Sequence, residues 1–346
     1  MTLGLITTVE LDYMPEHLAI TPNCKCLYVT HPDADGVSII DVTSNETTGF
    51  IRVGSKPKFV AITPDGSIAL TPNALGNSVT IISHKEHHII AELPVHGRPR
   101  HIAITPNGLF AMVANSLSNS VTVIDIMQRD FARGNIPVGH EPVFVGITPC
   151  GKKAYVVNRR SNTVSVIDCV NFTLISEIPV GVAPRCFAMN PEGTFIYVIN
   201  TGDDTVTVIR TDTDERLTSM KVGRVPSYIL FADAGKKLYI LNGGDDTVSV
   251  VDPRTNKLIS TIQVGDTPLH AAGIPETEFL LVVNLNGNNI SIIDIPANRS
   301  VGSLPVGSKP VTIAPLADGS KMYVANEESC SISVIPLEVI RWLIDS

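Results

Sequence analysis

The segment Val-Gly-x-x-Pro returns at Val53-Gly54…Pro57, Val138-Gly139…Pro142, Val180-Gly181…Pro184, Val222-Gly223…Pro226, Val264-Gly265…Pro268 and Val306-Gly307…Pro310. Val95-His96-Gly97-Arg98-Pro99 keeps the register with His96 in the glycine slot, and Leu11…Pro15 is a weaker first copy. The anchor prolines at 15, 57, 99, 142, 184, 226, 268 and 310 are 42 residues apart, with one interval of 43. The extra residue lies between Asp125 and Val138. A fixed period in this range marks a repeat architecture, in which each copy is one supersecondary unit that buries its faces only against its neighbours.

Landmarks inside each copy keep their spacing. A second turn follows the anchor, as in Pro64-Asp65-Gly66, Pro106-Asn107-Gly108 and Pro191-Glu192-Gly193. An Asn then recurs at 73, 115, 158, 200, 242, 284 and 326, with His31 standing in its place in the first copy. Alternating runs follow, such as Thr163-Val164-Ser165-Val166-Ile167-Asp168 and Lys257-Leu258-Ile259-Ser260-Thr261-Ile262. Short β-branched runs between Pro, Gly, Asn and Asp turns read as four strands per copy, A to D. No helical periodicity competes before residue 337.

Ala154-Tyr155-Val156-Val157-Asn158, Ile196-Tyr197-Val198-Ile199-Asn200, Met322-Tyr323-Val324-Ala325-Asn326 and the Thr-Val-Ser-Val-Ile-Asp runs resemble the YVTN-repeat β-propeller family. The resemblance covers nearly the whole chain and implies an all-β propeller. It says little about function, since the repeat occurs in surface-layer proteins, binding proteins and enzymes. Strands A, B and C each occur eight times and strand D seven, so the blade count is eight. The missing D aligns with Leu5-Ile6-Thr7-Thr8-Val9-Glu10-Leu11, and the N-terminal strand is expected to complete the last blade and close the ring. Closure removes open sheet edges. Residues 1–336 form one propeller in this reading. Residues 337–346, with the single Trp at 342, form a tail that reads as a short amphipathic helix packed on the ring or a dimer contact.

Composition excludes several classes. A net charge of −8 argues against a nucleic-acid partner, because phosphate neutralisation needs a basic face. No apolar run reaches the ~18 residues of a membrane span. Met1–Ile6 carries no basic n-region, so the chain is expected to start at Met1 and remain cytoplasmic. Six cysteines without a Cys-x-x-Cys pair suit reduced structural thiols.

In a repeat ring a grafted site shows where copies differ. The column two residues after each anchor is the most irregular: His17, Phe59, His101, Phe144, Cys186, Tyr228, His270 and Thr312. The residue before it is Glu16, Lys58, Arg100, Val143, Arg185, Ser227, Leu269 or Val311. These positions are expected on the face of the D–A crossovers and B–C loops, at the mouth of the central funnel. Imidazoles and a carboxylate there suit acid–base chemistry, with His17, His101, His270, Tyr228 and Glu16 as catalytic candidates. Lys58, Phe59, Arg100, Phe144, Arg185, Cys186 and His31 are ligand-binding candidates. Cys186 beside Arg185 reads first as a packed thiol, and His31 equally as a stand-in for the structural Asn. The trio His17, His101 and His270 offers a metal set if the rings converge, although no cofactor is predicted. His84, His87 and His88 fall in the C–D hairpin and read as a solvated turn.

The crossovers carry Lys56, Lys58, Arg98, Arg100, Arg185, Arg224 and Lys309 against Glu16, Glu141 and Asp266. A local basic patch favours an anionic small ligand. The reading is therefore a small-molecule binder or enzyme of lyase, cyclase or hydrolase type, with an architecture that resembles the virginiamycin B lyase family. The alternatives are a protein-interaction scaffold using Leu75, Leu117 and Leu285, or a haem- or metal-binding propeller similar to the haem d1 proteins. The chain is expected to be a monomer, or a dimer through its tail.

Overall fold

The second and third strands of each copy are buried at four or more consecutive positions, as in Lys153–Asn158 and Thr163–Asp168, and this is what a sheet packed on both faces requires. The computed structural model describes residues 6–345, without the side chains of residues 131–133 and 345. Among these residues the chain forms eight four-stranded antiparallel sheets, the blades of an eight-bladed β-propeller. Blades 1 to 7 span residues 17–52, 61–94, 99–137, 142–179, 184–221, 226–263 and 268–305, each with its four strands A to D in sequence order. Blade 8 takes A, B and C from residues 310–336 and its fourth strand from Thr7–Glu10. Thr7 pairs with Val334 and Glu10 with Ser331, as the strand count requires. Leu5, at the start of the aligned run, lies outside the described residues, as does the Met1–Leu5 segment behind the cytoplasmic expectation. The added residue of the 43-residue interval enters the fourth strand of blade 3, Asp130–Pro137, which has eight residues and two register shifts.

By density of contact the chain divides into two compact units. One holds Thr30–Ser38 and Gly49–Lys221, hence blades 2 to 5; the other holds the described residues 6–29, Ile39–Thr48 and residues 222–345, hence blades 6 to 8. Inside each unit neighbouring blades share a dry core. In blade 4, Tyr155 and Val157 pack with Phe187, Ile196 and Val198 of blade 5. Ala154 and Val156, the alternate residues of the same strand, pack with Met112, Ala114 and Val123 of blade 3. Period-two alternation thus sends one strand's side chains into two different cores. A second tie joins blades. Tyr155 Oη donates to Asp214 Oδ1 at 2.7 Å and Lys153 Nζ meets Asp214 Oδ2 at 2.8 Å, from blade 4 to the C–D hairpin of blade 5. Tyr323 of blade 8 bonds Asn45 of blade 1 in the same way, at 2.9 Å.

The recurrent Asn explains the recurrent Gly. Asn242 is 0% exposed, and its Nδ2 donates to Thr247 Oγ1 and Ser249 Oγ, both at 3.0 Å. A Cβ added at Gly223 would lie 2.5 Å from the Asn242 side chain, so the crossover passes too close to tolerate one. The same conflict, at 2.5–2.6 Å, holds for Gly54 with Asn73, Gly139 with Asn158, Gly181 with Asn200, Gly265 with Asn284 and Gly307 with Asn326. The hydroxyl seven residues after the Asn also receives the glycine N–H, as when Gly265 N donates to Ser291 Oγ at 3.1 Å. Strand B, strand C and the incoming crossover meet at that oxygen.

A helix, α1 (Leu337–Asp345), ends the described chain and buries Ile340 in the blade 7–8 core, with Leu343 over Gly302. No described helix is long and apolar enough to cross a membrane.

Replacing Asn242 with Ala should cost about 2 kcal/mol, since it strands two buried hydroxyls. Gly223→Ala alone should also destabilise. The double variant should lose clearly less than the sum of the two, because the clash and its partner disappear together. Urea unfolding of the four proteins checks this, and strict additivity would refute the node.

Candidate functional site

The irregular columns sit on a recurring bulge. In blades 3 to 8 the pairing of strands A and B shifts between the anchor proline and the residue two later, so Pro99 opposes Asn115 and His101 opposes Ala114. The residue skipped between them is Arg100 in blade 3 and Arg185 in blade 5. A bulge frees one residue from the ladder and re-aims its neighbours. The crossover before each bulge is held by a residue with positive φ, such as Arg98 (57°) or Glu141 (55°). Its N–H is capped by the preceding B–C loop, Arg98 by Asn77 Oδ1 at 2.8 Å and Glu141 by Asn119 Oδ1 at 2.9 Å. In blade 2, strand A is reduced to Ala61–Ile62 plus a bridge from Pro57 to Asn73.

Within the unit of blades 2 to 5 the second column forms an aromatic ladder. His101 stacks on Phe59 at 4.4 Å and on Phe144 at 4.2 Å between ring centroids. Phe144 continues edge-on to Phe187 at 5.1 Å. Phe187 is a member the sequence reading passed over. Its signal was Gly146, where a Cβ would come within 2.6 Å of the Phe187 ring. Enclosure depresses the His101 pKa to about 3, through burial and against a backbone hydrogen bond that raises it. Val145 N–H also donates to Nδ1 at 3.5 Å, a contact that favours the neutral ring with its proton on Nε2. In the unit of blades 6 to 8, Tyr228 meets His270 at 4.2 Å between ring centroids. Burial lowers His270 to about 4, and its Nδ1 is buried without a hydrogen-bond partner. Burial therefore favours the neutral form of both imidazoles, which leaves neither with an imidazolium proton to give.

Charge gathers beside the ladder. Arg100 Nη1 lies 3.8 Å from Glu141 Oε1, each side chain 34% exposed. Its guanidinium is held below the ordinary arginine value, first by burial and then by the positive fields of Arg98, Arg159 and Arg185, with Glu141 opposing. Arg159 reaches the group because its N–H donates to Glu141 O at 2.9 Å, linking the B–C loop of blade 4 to the crossover before it. Arg98 and Arg159 were visible as charges in the sequence but could not be assigned to one patch without this fold.

Other candidates are placed differently. His31, read as a ligand contact, is 0% exposed, and its Nε2 meets Ser38 Oγ at 2.8 Å, the bond to the hydroxyl seven residues on that each Asn makes. It is a scaffold residue because no surface of it remains for a ligand. Cys186, also read as a ligand contact, is 9% exposed, and burial pushes its thiol up to about 11, against Arg185. It is a packed neutral thiol. Lys58 and Phe59 are half-buried and Arg185 is exposed. Glu16 and His17 are half-buried at the start of blade 1, His17 opening its first strand. For the metal expectation, His17 and His270 belong to one unit and His101 to the other, so neither unit holds the trio. Leu75 and Leu117 are 62% and 70% exposed in their B–C loops, while Leu285 is half-buried.

Residues 99–221 match the model of the lactonase family described as a 7-bladed β-propeller. No curated protein matches the chain. Among solved structures, hydrazine synthase of Kuenenia stuttgartiensis is similar with a TM-score of 0.67 and 22% identity, over 96% of this chain and 99% of that one. The dihydro-heme d1 dehydrogenase NirN, in complex with DHE, gives 0.77 at 14% identity over 95% of this chain and 78% of that one. A functionally unknown protein of Desulfotomaculum acetoxidans gives 0.64 at 18% identity, over 80% of this chain and 94% of that one. At these identities the likeness is one of fold.

The depressed histidines make stability depend on pH. Below the unfolded-state value of 6.5 the unfolded chain takes up a proton that native His101 refuses, so stability falls as pH drops from 6.5 toward about 3. Each such proton contributes a slope of up to ~1.4 kcal/mol per pH unit. Between pH 6.5 and 5 the melting temperature of His101→Leu should therefore fall less steeply than that of the native chain. Equal slopes would show that His101 titrates normally.

Proposed function

We propose that this protein binds a small anionic molecule on the inner-strand and crossover face of blades 3 to 5. The carrying observation is the surplus of positive charge around a half-buried Arg100: three further arginines act on it and one glutamate opposes them. A guanidinium removed from bulk water and surrounded by like charge gains from a carboxylate or phosphate. The Phe59–His101–Phe144 ladder beside it supplies apolar and aromatic contact, with the buried Phe187 behind Phe144. A few polar anchors on an apolar wall are the usual composition of a small-molecule site.

His101 serves this reading as a neutral hydrogen-bonding group, with Nδ1 occupied by Val145 and Nε2–H available as donor. Lyase, cyclase or hydrolase chemistry on the bound anion would then draw on polarisation by neutral imidazole rather than on proton donation by imidazolium. The family match over residues 99–221 covers the same blades and supports a small-molecule role.

Benzoate and its neutral analogue benzamide make a matched pair of probes. Benzoate should bind the native protein measurably by calorimetry, more weakly at high salt, and benzamide much less. Arg100→Gln should weaken benzoate by about tenfold or more, the worth of a charge-assisted hydrogen bond. Equal binding of the two probes, or an unaffected Arg100→Gln variant, would overturn the reading.

A further inference from the structure

The repeat supplies its own control for each hairpin. In the C–D turns the first residue is normally an Asp whose carboxylate caps the turn: Asp41 Oδ1 receives Thr43 N at 2.9 Å and Ser44 N at 2.8 Å, and Asp125 Oδ1 receives Met127 N at 3.0 Å and Gln128 N at 2.9 Å. Asp168 and Asp252 cap their turns in the same manner. The second residue plugs the interior: Val42, Ile126, Cys169 and Ile295 are between 1% and 7% exposed. The fifth adopts positive φ and is Asn at 45, 256 and 298.

Blade 2 departs at all three positions within one turn, as blade 5 does with Arg210, Thr211 and Asp214, and the fifth residue is Arg129 in blade 3 and Phe172 in blade 4. Ser83 replaces the capping Asp, His84 the apolar plug, and His87 the Asn. The backbone does not change to suit them. His84 N donates to Ser67 O at 2.9 Å, as Ile126 N does to Leu109 O in blade 3, and His87 keeps a φ of 52°. The turn therefore lacks the capping carboxylate and the buried apolar side chain of blades 1, 3 and 4. The two imidazoles do come together. Their rings lie 5.4 Å apart, edge to face, and ligand nitrogens of the two are within 4.8 Å of each other. Two nitrogens on one tetrahedral zinc, each at about 2.0–2.1 Å, are separated by roughly 3.4 Å, a gap that a small side-chain rotation of the exposed His87 closes. His88 points to a different partner, with its Nδ1 3.4 Å from Glu86 Oε2.

We propose that His84 and His87 chelate a divalent transition-metal ion of the kind that prefers imidazole, such as Zn²⁺ or Ni²⁺, on the C–D hairpin of blade 2. Two rings fill part of the coordination sphere, and other donors complete it. This site is separate from the arginine patch and stands or falls without it. His87 and His88 are exposed, as in a solvated turn, whereas His84 is half-buried at the plug position.

Titration of the full chain with ZnCl₂ or NiCl₂ alone, by calorimetry and by competition with a chromophoric chelator, tests the site. The native protein should bind one ion. His84→Leu and His87→Asn restore residue types that other blades use there, so both variants should fold, and each should bind at least about tenfold more weakly. His88→Ala should bind as the native chain does. Absence of binding at about 100 μM metal, or native affinity in the His84→Leu/His87→Asn double variant, would overturn the proposal.

Discussion

A buried carboxamide packed on a glycine is the contact around which each blade is organised. The Asn side chain at the end of strand B donates to two hydroxyls of strand C, and the chain arriving from the previous blade passes over it where only a glycine fits. Three segments that are distant in sequence are fixed at one point, and desolvation makes each of those hydrogen bonds expensive to lose. In blade 3, where His96 takes the glycine slot, Asn115 remains buried but its bond to Ser120 lengthens to 3.4 Å. The first copy lacks both residues, and His31 makes the equivalent bond to Ser38.

The node also determines where variation is harmless. Immediately after it comes the proline, then a bulge that releases one residue from the ladder and turns the next toward the neighbouring inner strand. Such positions can carry Arg, Phe, His or Thr without disturbing the Asn–Gly contact, and the chain uses them for the aromatic ladder and the arginine group. The C–D hairpin has a comparable freedom at its second and fifth residues, although there the cost of a polar plug is a smaller apolar core.

Much of the candidate site could be named from the sequence, but not graded. The column containing Phe59, His101 and Phe144 stood out because it was irregular, and its members do touch. His31 and Cys186 stood out on the same ground and are buried scaffold. Irregularity reports that a position differs, while burial decides whether the difference meets solvent. Phe187 illustrates the reverse. It is a core residue whose ring also sits over Gly146 and meets Phe144 edge-on, a contact its sequence position did not announce.

The periodicity of this chain determined the fold by itself: eight copies, four strands in each, and an N-terminal strand that completes the last blade. Those features follow from local turn chemistry and from hydrophobic alternation, both of which are written in consecutive residues. The protonation of His101 and His270, the grouping of Arg98, Arg100, Arg159 and Arg185, and the meeting of His84 with His87 were settled only by tertiary structure. Fields and desolvation depend on which side chains are neighbours across blades and turns, and a linear sequence does not carry those distances.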